Sequence, residues 1–315
     1  MSAPVPVTPE QRERLLRLAT RASVATALLL IVGKTVAWLM TGSVSVLASL
    51  VDSVMDALAS LVNLVAVRVS LAPPDAEHRF GHGKAEALAG LGQATFIAGS
   101  ALFLCLQAVD RLLRPQPLTD IGVGAAVIVF AIVATALLLA IQRHVIRRTG
   151  STAIRADALH YLTDLATNAS ILLALGLGHF GYDGLDPLFA LGIAVYILKS
   201  AWEIGAEAVS LLMDHELPAE TKQRIVELAR EQHGVLGVHD LRTRQSGHTI
   251  FVQLHLELAD SLPLAVAHAI GDAVESAIEN EFPGAEILIH QDPVSAVAQE
   301  RRRMLAHQMG ERAGR

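Results

Sequence analysis

The chain has 315 residues, of which 52% are hydrophobic and only 18% are charged, and its formal net charge is −6. A soluble domain has about 25% charged residues, so this composition is typical of a polytopic membrane protein. The negative net charge argues against a nucleic-acid partner. The single cysteine, Cys105, lies in an apolar stretch and excludes both a disulfide within the chain and a CxxC metal site.

Long apolar stretches occupy the first two thirds of the chain, and each can cross a hydrocarbon core of about 30 Å. They predict a bundle of six transmembrane helices at residues 17–40, 44–71, 84–111, 120–143, 157–179 and 186–212. We expect residues 1–16 to form a cytoplasmic segment that is retained, because the apolar run after it is too extended for a signal peptide. Lys and Arg concentrate in that segment and in the loops after the second and fourth spans, which predicts cytoplasmic chain ends.

The sequence changes character after Asp214, where amphipathic helices alternate with β-rich segments. Residues 213–294 are predicted to fold as a small cytoplasmic α+β domain with the order αββαβ. Its second strand alternates apolar residues on one face, namely Ile250, Val252, Leu254 and Leu256. Residues 295–315 form a charged tail, for which the sequence leaves the structure open.

Two pairs of ionisable residues interrupt the predicted spans, Asp52 with Asp56 and His160 with Asp164. The i, i+4 spacing places each pair on one face of its helix. A charge at the bilayer centre costs about 2.5–3.5 kcal/mol, so such residues are usually paired or functional. Three carboxylates and one imidazole can form a tetrahedral site, and the imidazole favours zinc, iron(II), cobalt or nickel.

Metal binding to these ligands competes with protons, because the imidazole must be neutral to bind a cation. An inward proton gradient can therefore drive outward metal transport, with His160 as the natural titrating group. The alternative interpretation is polar contact between helices, in which Asp and His bond Asn63, Asn168 or backbone groups. Lys34, in the first span, is expected to snorkel toward the outer interface.

Two other functions use the same residue types. An intramembrane metal-dependent hydrolase needs an open coordination position and a general base, and the sequence has no HExxH motif. A non-transporting metal sensor would use its spans only as an anchor, which leaves the intramembrane ligands unexplained. A metal-flux assay separates both from a transporter.

Two further groups of polar residues have the chemistry of metal ligands. A loop between the second and third spans carries Asp75, His78 and His82, with Gly81 and Gly83 allowing a turn. Solvated loop histidines explain that pattern equally well. Six residues of the C-terminal domain could hold one or two metals, or pair with a second subunit through metal: His239, His255, His268, His290, Gln291 and Asp292. The alternative is that the strand histidines are simply half-buried.

Four stretches of this sequence resemble the cation diffusion facilitator family, and specifically its bacterial zinc and ferrous-iron efflux branch. They are GSVSVLASLVDSVMDAL, HRFGHGKAEALAGL, ADALHYLTDLATNASILLAL, and GVHDLRTRQSG with the following VQLHLEL. The resemblance covers nearly the whole chain. It implies a homodimer in the bacterial inner membrane that exports zinc, and also iron(II), cadmium or cobalt, in exchange for protons by alternating access, without enzymatic activity.

The resemblance also implies roles for individual residues. The implied transport site consists of Asp52, Asp56, His160 and Asp164, and the implied loop site of Asp75, His78 and His82. The implied binuclear site of a metallochaperone-like domain, which regulates or stabilises the dimer, comprises His239, His255, His268, His290 and Asp292, with Gln291 close by. Lys84 and Asp214 occupy the positions of an interlocking charge pair near the membrane surface.

Overall fold

The computed structural model describes residues 8–42, 44–113, 122–179 and 186–298. The chain divides into two compact units after Leu212. Residues 1–7 and the part of the predicted tail from residue 299 onward lie outside the described residues.

The first unit consists of six long helices of 27 to 33 residues. They are α1 (Pro9–Thr41), α2 (Val44–Ser70), α3 (Lys84–Leu113), α4 (Gly122–Thr149), α5 (Thr152–His179) and α6 (Asp186–Leu212). Three of them extend beyond the predicted spans by five residues or more: α1 at its start, α4 at its end and α5 at its start. The added residues are mostly polar, and they continue each helix beyond the apolar run that hydropathy detects.

Five of these six helices are long and apolar enough to cross a membrane, and only 22% to 33% of each apolar window is buried. Such extensive exposed apolar surface is what lipid contact requires. The prediction of six spans is therefore confirmed for five of them. The exception is α5, whose apolar run is interrupted by Asp157, His160 and Asp164.

Helix α5 lies at the centre of the unit and contacts each of the other five long helices. Residues 156–161 of this helix are all buried. One apolar cluster joins it to α3 and α6 through Ala156 and Leu159, and another joins it to α4 through Ala158 and Tyr161. A helix surrounded by other helices can carry polar residues, because they face protein and not lipid.

A buried polar cluster ties α5 to three neighbours around the carboxylate of Asp157. Its Oδ2 atom accepts hydrogen bonds from Ser23 Oγ of α1 at 2.5 Å and from Gln142 Nε2 of α4 at 2.7 Å. Its Oδ1 atom accepts a third from Gln93 Nε2 of α3 at 3.1 Å. Asp157 is fully buried, so these three donors replace the water that the carboxylate has lost.

Close approach between α1 and α4 depends on Gly33. A Cβ atom at this position would lie 2.6 Å from Cε1 of Phe130. Helix α1 ends at Gly42, which has a left-handed φ of 61° and donates its N–H to the carbonyl of Trp38 at 2.7 Å. This is the αL termination that glycine allows without a Cβ penalty.

The second unit contains two helices and a three-stranded sheet, as predicted. Its elements are α7 (Ala219–Arg230), β1 (Gly237–Ser246), β2 (Thr249–Leu258), α8 (Leu264–Glu281) and β3 (Glu286–Pro293). Strand β2 is central, antiparallel to β1 and parallel to β3. The parallel pair requires a crossover connection, which α8 supplies.

Alternation along β2 separates the core of this unit from its polar face. Val252, Leu254 and Leu256 are buried in an apolar cluster with Val274 and Ile278 of α8. The residues between them therefore lie on the other face of the sheet. That polar face carries most of the histidines that the sequence singles out.

We predict that replacing Asp157 with Ala destabilises the helical unit by about 3 kcal/mol or more, because three buried hydrogen bonds to its carboxylate are lost. Unfolding of the full chain in mixed micelles measures this change. Asp110→Ala is the matched control, since that aspartate is exposed on α3 and should leave stability unaltered. Equal stability of the two variants would contradict the role given to this cluster.

Candidate metal centres

The structure brings together three of the four ionisable residues predicted inside the membrane. Asp56 Oδ1 lies 2.9 Å from Nε2 of His160, and Oδ2 of Asp164 lies 4.0 Å from the same nitrogen. The three side chains offer ligand atoms that all lie within 4.8 Å of one another. Helix α2 supplies the first of them and α5 the other two, so the group spans a helix–helix contact.

Asp52 lies one turn before Asp56 on α2, and it is exposed. It is not part of the group whose ligand atoms lie within 4.8 Å. Its membership of the site stays a prediction. The alternative partner Asn63 is buried, and neither its Nδ2 nor its Oδ1 has a hydrogen-bond partner among the described residues.

Lys34 does not snorkel, and that expectation is wrong. Its residue is only 8% exposed. The ammonium donates to the carbonyl of Ser49 at 2.9 Å and to Oγ of Ser53 at 2.7 Å, both on α2. These two acceptors hold the side chain against the neighbouring helix, where hydrogen bonding replaces the hydration it would find at the interface.

The loop residues also converge. Nδ1 of His78 lies 3.3 Å from Oδ1 of Asp75, and Nε2 of His82 lies 3.3 Å from Oδ2. The N–H groups of His78 and Glu77 donate to the same Oδ1 atom. These backbone hydrogen bonds, with that of His78 the strongest influence, hold the pKa of the Asp75 carboxyl below its usual range.

The turn in this loop depends on one of the two predicted glycines. Gly81 has a φ of 75°, which an L-residue rarely adopts. Gly83 is buried and is not among the residues with positive φ. The turn leaves Nδ1 of His82 buried and without a hydrogen-bond partner among the described residues, so this atom is available to a ligand.

Three histidines form a row across the sheet of the second unit. His239 on β1 pairs in register with His255 on β2, which pairs with His290 on β3. Adjacent ring centroids are 5.0 Å and 4.6 Å apart. The row follows from strand pairing, because residues in register on neighbouring strands project from the same face.

The carboxylate of Asp292 contacts all three rings of this row. Its Oδ2 atom lies 2.7 Å from Nδ1 of His255 and 3.6 Å from Nε2 of His239. Its Oδ1 atom lies 3.0 Å from Nε2 of His290. Asp292, His239 and His255 form the tightest group, with ligand atoms within 4.8 Å of one another.

Two residues predicted for this site do not adjoin the histidine row. His268 is exposed on α8, with Nδ1 3.5 Å from Oδ1 of Asp272. Gln291 occupies the opposite face of β3, where its Nε2 atom approaches Gly271 of α8. Their participation in metal binding stays a prediction.

Two carboxylates that the sequence interpretation missed adjoin the histidine row. Oε1 of Glu257 lies 3.1 Å from Nδ1 of His239, and Oδ2 of Asp240 lies 3.8 Å from Nε2 of His255. Asp240 lies at an irregularity in the β1–β2 register, with a φ of 45°. The hydrogen bonds from the Arg242 guanidinium hold the pKa of Asp240 below its usual range, so this carboxylate stays ionised beside the row.

Lys84 and Asp214 belong to different units, and their pairing stays a prediction. The ammonium of Lys84 donates to the carbonyl of Leu212 at 3.2 Å. Asp214 has a φ of 55°, and its Oδ1 atom lies 3.5 Å from Nη1 of Arg244.

The first unit is a helical membrane unit with an acid and imidazole cluster between two helices. The second is a small α/β unit with its own histidine cluster. Together these features define a membrane transporter of metal cations. Comparison with known proteins identifies the family. Residues 20–213 match the model of the cation efflux transmembrane domain, and residues 217–294 match that of the cation efflux protein cytoplasmic domain. The chain belongs to the cation diffusion facilitator family, in its zinc and iron branch.

Individual relatives agree with this assignment. The chain is 53% identical over 292 residues to the cation-efflux pump FieF of Escherichia coli strain E24377A, covering 93% of this chain and 97% of that protein. Since the relatives are named as pumps, the chain is a transporter and not an enzyme. Among solved structures, a zinc form of CzrB is 37% identical and covers 26% of this chain and 93% of its own, with a TM-score of 0.25. The MamM CTD is 27% identical over 24% of this chain and 95% of its own, with a TM-score of 0.23.

We predict that Asp292→Asn lowers the zinc affinity of the cytoplasmic cluster by at least about tenfold, the scale on which even outer-shell partners of a metal act. Titration of the full chain with ZnCl₂ should show the loss of its sites on the second unit. His233→Ala is the control, because this histidine is exposed and away from the row. Unaltered zinc stoichiometry and affinity in Asp292→Asn would exclude that carboxylate as a ligand.

Proposed function

We propose that this protein exports divalent transition-metal cations from the cytoplasm in exchange for protons, by alternating access, with zinc as the main substrate. The observation that carries the proposal is the convergence of Asp56, His160 and Asp164 on one point between α2 and α5. A structural cluster has no need of three ionisable groups in an apolar bundle, where each costs free energy unless it is paired. A transport site needs them, because a dehydrated cation must replace its water with protein ligands.

The ligand chemistry supports zinc, with iron(II), cadmium and cobalt as further substrates. Two carboxylates and one imidazole approach one another here, and Asp52 is one helical turn away. Together the four would give a tetrahedral nitrogen and oxygen site, which zinc accepts without electronic penalty. Magnesium and calcium prefer six or more oxygen ligands, so the imidazole disfavours them.

The contact between Asp56 and His160 supports the proposed exchange of metal for protons. The 2.9 Å separation of Oδ1 and Nε2 is that of a charge-assisted hydrogen bond, which requires a proton between the two atoms. A metal ion that binds both atoms must displace that proton. Metal and proton therefore compete for one position, and the site can carry one in each direction across the membrane.

We further propose that the protein is a homodimer of six-span subunits in the bacterial inner membrane, with both chain ends in the cytoplasm. The match of residues 217–294 to the cytoplasmic domain of cation efflux proteins supports dimerisation through the second unit. Metal on the histidine row, on the loop residues, or on both would then bias the dimer toward a transport-competent state. Such regulation requires two distinct sites with differential affinity for the two states.

The two alternative functions have less support. A metal sensor would not retain an intramembrane cluster, and a hydrolase would need a catalytic base beside an open coordination position. The relatives that match nearly the full chain are named cation-efflux pumps. Flux of metal across a membrane remains the measurement that separates the three functions.

We predict that Asp56→Ala and His160→Ala each abolish zinc–proton exchange in proteoliposomes with an imposed pH difference. Each substitution removes a ligand from the site and leaves its partner without a counterpart. His144→Ala is the control for the imidazole, since His144 is exposed on α4 and should leave exchange intact. Exchange at the normal rate in either site variant would remove this cluster from the mechanism.

Zinc affinity at this site should fall as the pH is lowered from 7.5 to 5.5, by up to about tenfold per pH unit, because one proton must leave the site when the metal binds. Proton release on zinc addition in a weakly buffered solution measures the same event directly. His160→Ala should release fewer protons per zinc bound than the native protein. A pH-independent affinity would contradict proton coupling at this position.

A further inference from the structure

Lys34 is the most unusual residue of the membrane unit outside the acid and imidazole cluster. It interrupts the apolar run of α1 and is buried, at 8% exposure. A lysine in such surroundings is rare, because removing its charge from water is costly, and it usually marks a functional position. Its ammonium is held by two neutral oxygens, the carbonyl of Ser49 and Oγ of Ser53.

The location of those two acceptors connects Lys34 to the cluster. Ser53 lies on α2 between Asp52 and Asp56, and Ser49 lies one turn earlier on the same helix. The two acceptors therefore hold the ammonium against the turn of α2 that carries Asp52 and leads to Asp56. Hydrogen bonding to these neutral oxygens positions the Lys34 ammonium beside the acidic residues of α2.

The charge balance of the site explains why a positive charge is needed there. With Asp52 as the fourth ligand of the proposed site, three carboxylates and a neutral imidazole carry three negative charges, and a divalent cation cancels two of them. Lys34 supplies the remaining positive charge, so the loaded site is electrically neutral only with the lysine present. Neutrality matters in an apolar bundle, because an uncompensated charge there is destabilising.

We propose that Lys34 is the fixed counter-charge of the transport site and sets its metal affinity. This inference rests on the proposed transport function of Asp56, His160 and Asp164. The ammonium repels a bound divalent cation and thereby weakens binding to a level that permits release on the far side. It also stabilises the site after the metal has left, when the acids would otherwise face only one another.

The test compares zinc binding to charge-removing and charge-retaining variants of the full chain. All are made in a background with His82→Ala and Asp292→Ala, so that binding reports on the membrane site. Lys34→Gln should bind zinc about tenfold or more tightly than the background protein, because a positive charge near the cation has been removed. Zinc trapped in this way should also exchange more slowly in proteoliposomes.

Three controls separate charge from structure. Lys34→Arg keeps the charge and should bind zinc within about threefold of the background protein. Ser53→Ala removes one acceptor but keeps the charge, and should behave in the same way. Lys199→Gln removes an exposed lysine of α6 that pairs with Glu203, and it should leave affinity unaltered.

The outcomes are distinguishable. Zinc affinity that is unaltered or weaker in a folded Lys34→Gln variant would overturn the proposal, as would a Lys34→Arg variant that behaves like Lys34→Gln. Lys34→Met replaces Lys34→Gln where the latter does not fold, because its apolar stem fits the same space without a new polar group. Asp56→Ala in the same background tests the underlying function: if it binds zinc normally, the transport site itself is wrong, whatever Lys34 does.

Discussion

The contact between Asp56 and His160 joins two helices through groups that an apolar bundle accepts only in combination. Either residue alone would be an uncompensated polar group in a low-dielectric environment, at a cost of several kcal/mol. Placed 2.9 Å apart with Asp164 close by, they satisfy one another with a shared proton. Under the proposed function a cation takes the place of that proton, so the contact that stabilises the empty site would also determine what the site binds.

Helix α5 shows how the bundle combines permanent and exchangeable polar contacts. Asp157 is held by donors from three neighbouring helices, whereas His160 and Asp164, one and two turns further on, face α2 and one another. Sliding of α5 along its axis would break the hydrogen bonds that Ser23, Gln93 and Gln142 donate to Asp157.

Much of this arrangement could be predicted from the sequence because it depends on short-range periodicity. Spacing of i, i+4 placed His160 with Asp164, and apolar length indicated all six long helices. Alternation in β2 predicted which face of the sheet is apolar. The same alternation could also have identified Glu257 as a neighbour of the histidines, since it lies two residues after His255 and thus projects from the polar face.

Other features depend on partners that a single sequence does not reveal. The direction of Lys34 is decided by two serine oxygens on another helix, whereas hydropathy indicates only that a lysine occupies an apolar run. Asp240 reaches the histidine row through an irregularity in strand register, which alternation cannot anticipate. Asp52 has the spacing of a fourth ligand, but its distance from the group depends on the rotation of α2 relative to α5.

The carboxylate of Asp292 has one oxygen facing His239 and His255 and the other facing His290. The two oxygens belong to one delocalised anion and share its electron density. A cation bound at the first oxygen makes the second a poorer donor, and two cations held by a single carboxylate also repel each other. Occupancy of the row would accordingly proceed in steps, with the second cation entering only at a higher concentration than the first.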